Sequence, residues 1–133
     1  MTTATISYKG QLRTTCTHVR SNTTITTDAP VDNHGKGEAF SPTDLLATSL
    51  VSCMITTMGI AAQKNNIPFE GADAEMEKIM ASDPRRVSGI VITIKMPADL
   101  TAEHRKVLEA AAINCPVAKS LHPDVNQQLT FSY

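Results

Sequence analysis

Threonine dominates the first thirty positions and apolar residues are sparse there. Threonine is stiff at χ1 and favours a pleated surface, so strands are predicted near 4–9, 12–20 and 22–28. Lys9-Gly10 and Ser21-Asn22 supply turn chemistry between them. Positions 28–40, with Pro30, Asn33, Gly35 and Gly37, then read as a long loop, of a kind that is often functional in a small domain. The pattern changes at Ser41. Ser41-Pro42-Thr43-Asp44 offers an N-cap serine, a proline at the first helical position and a carboxylate at the third, which is a capping-box arrangement.

From Leu45 to Ala62 the chain carries no charge, and its polar members are hydroxyls such as Thr48, Ser49, Ser52, Thr56 and Thr57. A helix apolar nearly all round is buried on every side. A membrane span is the competing reading for a stretch this long, but the hydroxyls and the sheet-like flanks favour a core helix. Further on, Ala72, Ala74, Met76 and Met80 alternate with Asp73, Glu75 and Glu77, although EMEKIM by itself favours helix. Ser82-Asp83-Pro84 is a turn, and Ile90, Ile92, Ile94 and Met96 share one face of a definite strand, so 71–97 is read as a hairpin. Val107, Leu108, Ala111 and Ala112 stripe an amphipathic helix over 101–114. A short helix opens at Cys115-Pro116 and ends by His122-Pro123, and Leu129, Phe131 and Tyr133 alternate as a last strand.

This order predicts one α+β domain over 1–133, with no repeat or linker. The sheet of one small chain covers one side of an apolar helix, so a second copy is the economical way to enclose the rest, and a homodimer is expected. A net charge of −1 and few aromatic residues leave no basic or stacking surface for nucleic acid. The first ten residues hold no apolar h-region, which fits a cytoplasmic chain with no membrane partner. Three cysteines are a poor disulfide framework, so Cys16, Cys53 and Cys115 are packing residues, catalytic thiols or metal ligands.

No CxxC, GxGxxG, Walker loop or HExxH occurs. Cys16 and His18 share a strand face, but two ligands do not make a zinc site, and neither metal nor cofactor is expected. Cys53 sits mid-helix, where a cysteine is ordinarily a small core hydrophobe. Cys115 sits at a helix start, where free N–H groups and the helix dipole favour a thiolate.

GKGEAFSPTDLLATSLVSCMITTMGI, followed by INCPVAKSLHPDVNQQLTFSY, resembles the OsmC/Ohr family of osmotically induced and organic hydroperoxide resistance proteins. The likeness runs from about Lys9 to the C-terminus. It implies an intertwined homodimer whose antiparallel sheets wrap two buried central helices, and thiol peroxidase chemistry on organic hydroperoxides or hydrogen peroxide. Carried over, Cys53 is the peroxidatic thiol and Cys115 resolves its sulfenic acid as a disulfide. An external thiol, a dihydrolipoyl protein in the Ohr branch, then reduces the disulfide. The family also supplies an arginine from an early strand to hold the thiolate: Arg13 by position, Arg20 as second choice.

One departure matters. Ohr proteins have glutamate after the capping proline, and it holds the arginine; here the residue is Thr43. Asp44 points about 100° away from that position and is better used as a cap, which leaves Glu38 as the substitute. Position 43 also lies about 15 Å along a straight helix from Cys53. The missing glutamate puts the chain nearer the OsmC-like branches and motivates an alternative, in which it binds a small hydrophobic or thiol ligand with little turnover.

Overall fold

The computed structural model describes residues 1–133, and the chain divides into two compact units, Met1–Leu46 and Ala47–Tyr133. The first holds an antiparallel sheet in the order β1 (Ala4–Tyr8), β2 (Arg13–His18), β3 (Thr24–Asp28). β2 stops at His18, two residues earlier than the sequence suggests. The chain turns through Val19–Thr23, with the His18 N–H donating to Thr23 O and the Asn22 N–H to His18 O. This turn sets the register: Cys16 faces Ile6 and Ile25, and Arg13 faces Asp28.

The loop that follows is held by its own backbone. Asp28 N–H donates to Phe40 O, Ala29 N–H to Leu12 O, and Gly35 N–H to Pro30 O around a 3-10 turn at Val31–Asn33. At Gly35 a Cβ would stand 1.7 Å from Ala29 O, so only glycine fits.

α1 (Pro42–Lys64) begins as its sequence predicts. The Asp44 N–H donates to Ser41 Oγ (3.0 Å) and the Ser41 N–H to Asp44 Oδ2 (2.9 Å), a reciprocal capping box on a buried serine.

In the second unit β4 (Asp73–Ala81) and β5 (Arg86–Lys95) form the expected hairpin, with a register shift between Ile79 and Met80. β6 (Asn126–Ser132) pairs with the other edge of β5. It runs parallel to β5, so this sheet is mixed rather than antiparallel throughout. A parallel return needs a long crossover, and α2 (Ala102–Ile113) and α3 (Pro116–Ser120) lie in it. Tyr133 falls just past the strand; its hydroxyl donates to Glu109 and Arg105 stacks on its ring.

The core takes Ala47, Leu50, Met54 and Met58 from α1, Ile90, Ile92 and Ile94 from β5, and Leu108 and Ala112 from α2. Those α1 positions are three and four apart and define one face. By length and composition α1 would also suit a membrane span; its buried face packs as a core helix does. The expectation of burial on every side is not met within one chain, for Leu46 and Ile60 stay 38% and 51% exposed.

Candidate active site

The second unit brings two thiols together. Cys53, on α1, is half-buried and packs against the core cluster that contains Cys115. Its Sγ lies 3.9 Å from Thr57 Oγ1, and that hydroxyl donates to the Cys53 carbonyl at 2.7 Å, one turn back along the helix. Cys115 is fully buried at the N-cap of α3, where Pro116 occupies the first helical position. The Cys115 Sγ accepts the Ala118 N–H at 3.4 Å, and the Cys53 thiol is its neighbour in the core. Both thiols are free.

Burial pushes the Cys115 thiol up; the Ala118 N–H acts against this, and the neighbouring Cys53 adds to the rise. The expectation that a helix start would favour a Cys115 thiolate is therefore corrected. The cap acts as expected, but taking the sulfur out of water costs the anion more than the Ala118 and Val117 amides return.

A second constellation lies in the first unit. Arg13 Nη2 donates to Glu38 Oε1 at 2.6 Å and to Asp28 Oδ2 at 3.3 Å. Asp28 Oδ2 also accepts the Glu38 N–H at 3.0 Å. That bond and the Arg13 charge hold the Asp28 carboxyl below its ordinary value, against the opposing effect of burial. Glu38 thus meets the arginine, as its position in the loop suggested. Thr43 and Asp44 serve the helix start: Thr43 Oγ1 lies 3.2 Å from Ser41 Oγ, and Asp44 caps. Arg20 stands in the exposed turn after β2, outside any strand. Cys16 lies half-buried in β2 with its Sγ 3.6 Å from Thr14 Oγ1.

Asp28 is the member of this cluster that sequence reasoning missed. The β2–β3 register of the structure, which a turn at Ser21-Asn22 would not produce, sets it directly across from Arg13.

With this geometry in hand, a family model described as OsmC-like protein matches residues 35–130. The chain belongs to the OsmC-like family. A solved structure from Psychrobacter arcticus 273-4, named for osmotic stress induction and a detoxification response, is 53% identical to this OsmC-like chain. It superposes with a TM-score of 0.94 over 98% of this chain and 96% of that one. The organic hydroperoxide resistance protein OsmC of Legionella pneumophila is 18% identical, with a TM-score of 0.77 over 100% and 98% of the two chains. OhrB of Bacillus subtilis, an organic hydroperoxide resistance protein, is 16% identical with a TM-score of 0.69 over 98% of each. The last two show a shared fold. No curated protein matches the chain.

Proposed function

We propose that this OsmC-like chain is a homodimeric, cysteine-based thiol peroxidase that reduces small organic hydroperoxides or hydrogen peroxide in the cytoplasm. The observation that carries this reading is the pair of neighbouring free thiols, one half-buried and one fully enclosed. Their unequal environments support the division of labour. A thiol kept protonated by burial is a poor first nucleophile, so attack falls to Cys53 and resolution to Cys115.

The Cys53 thiolate attacks the distal peroxide oxygen, the O–O bond breaks, and the alkoxide leaves as the alcohol after taking a proton. The resulting sulfenic acid is then attacked by Cys115: an S–S bond forms and the hydroxyl departs as water with the Cys115 proton. An external dithiol, such as a dihydrolipoyl protein, returns both cysteines to thiols and is itself oxidised to a disulfide. Arg13 stabilises the Cys53 thiolate in this scheme, and Glu38 orients Arg13.

The test is thiol titration after exposure to cumene hydroperoxide. The wild type is expected to lose two thiols per chain and Cys53→Ser none. Cys115→Ser should stop at a sulfenic acid that dimedone traps. Millimolar peroxide that leaves both wild-type thiols titratable would overturn the proposal and favour ligand binding without turnover.

A further inference from the structure

We infer that Asp28 is a positioning residue for Arg13, fixing the guanidinium that Glu38 only supplements; this rests on the role proposed above for Arg13 in stabilising the thiolate. The two carboxylates reach the same nitrogen but are built differently. The Glu38 side chain is 59% exposed, and the Asp28 side chain is wholly buried. An exposed ion pair is screened by water and contributes little, so Glu38 alone is a weak constraint on a long arginine. Asp28 is short, sits on β3 directly opposite Arg13, and is tied at two further points: its N–H donates to Phe40 O, and its Oδ2 accepts the Glu38 N–H. The same carboxylate therefore anchors the arginine and the loop that carries the other carboxylate.

A second observation argues that Asp28 is not there for stability alone. Its Oδ1 is buried with no hydrogen-bond partner. Buried carboxylates ordinarily have their lone pairs filled, and an apolar side chain would pack such a position at lower cost. What the aspartate supplies is a fixed negative point for a cation. Both carboxylates engage Nη2, which leaves Nη1 and Nε of the planar fork for a further acceptor.

The sign of the effect separates positioning from a simple field. If Asp28 acted only as a charge, neutralising it would strengthen the cationic field of Arg13 and speed thiol ionisation. If it acts by positioning, its loss leaves Arg13 to the exposed Glu38 and slows the thiol. The experiment is the pH profile of peroxide-dependent thiol loss in the full-length wild type, Asp28→Asn, Glu38→Gln and Arg13→Ala, with cumene hydroperoxide. Asp28→Asn is expected to move the midpoint up by about one pH unit, a tenfold loss of rate below it, approaching Arg13→Ala, and Glu38→Gln to move it less. An unchanged or lowered midpoint in Asp28→Asn, or a lower Tm with an unaltered profile, would overturn the inference while leaving the peroxidase reading intact. Absence of thiol loss in the wild type would overturn that reading instead.

A further measurement needs no variant. The wild-type guanidinium nitrogen spectrum should show hindered rotation at the Arg13 Nη2 amino group, and free rotation at neutral pH would defeat the assignment whatever the thiols do.

Discussion

Asp28 illustrates how a single buried carboxylate ties protonation to folding. Its folded-state carboxyl titrates below the ordinary 3.8, chiefly because it accepts the Glu38 N–H, with the Arg13 charge helping. A depressed acid contributes stability above its unfolded value and loses it as pH falls through the folded one. The wild-type Tm should accordingly fall away below about pH 4, and the curve for Asp28→Asn should be flatter across the same window, as thermal melts from pH 2 to 6 would show. At this scale the sequence was partly readable. The family resemblance singled out Cys53, Cys115 and Arg13, the threonine at position 43 turned attention to Glu38, and the capping pattern reserved Asp44. Asp28 stayed hidden for a geometric reason: a turn placed at Ser21-Asn22 sets Arg13 against Pro30, whereas the observed β2–β3 register sets it against Asp28. Slippage of a turn by one residue moves every cross-strand partner by two.

At the scale of elements, local chemistry fixed the clearest boundary. Ser41, Pro42 and Asp44 start α1 where the capping pattern says it should start. Ser41→Ala removes the oxygen that receives the Asp44 N–H and is expected to lower stability by about 1 kcal/mol, measurable by urea denaturation. The hairpin was equally legible, because alternation between Ile90 and Met96 leaves one face buried and the other exposed. The direction of β6 was not. A strand beside β5 shows the same alternation whichever way it runs, and only the length of the intervening crossover distinguishes the two cases. β2 ends earlier than its sequence suggests for a related reason: Val19 and Arg20 suit a strand, but the backbone bonds from His18 and Asn22 close a turn that contains them.

For the whole molecule, the instructive quantity is what α1 leaves uncovered. The helix gives one stripe to the core and exposes Leu46, Ser49, Thr56 and Ile60 along the opposite side. The sequence announced that such a helix needs cover; it does not carry the interlocking geometry, because an apolar stripe states a requirement and not its partner. With the second copy proposed above in place, the protein should sediment as a dimer at micromolar concentration. Ile60→Asp should shift it to monomer by desolvating a charge at that face, whereas the exposed Val31→Asp, on the 3-10 turn, should not. A wild-type monomer by analytical ultracentrifugation would remove the dimer from the proposal.

The cap of α3 has a practical corollary for anyone handling the protein. The sulfur of Cys115 is also the acceptor for the Ala118 amide, so any label, adduct or ion that claims its lone pair competes with the backbone three residues downstream. A maleimide placed there is no passive tag: deuterium uptake at Ala118 becomes a gauge of what has happened to the thiol.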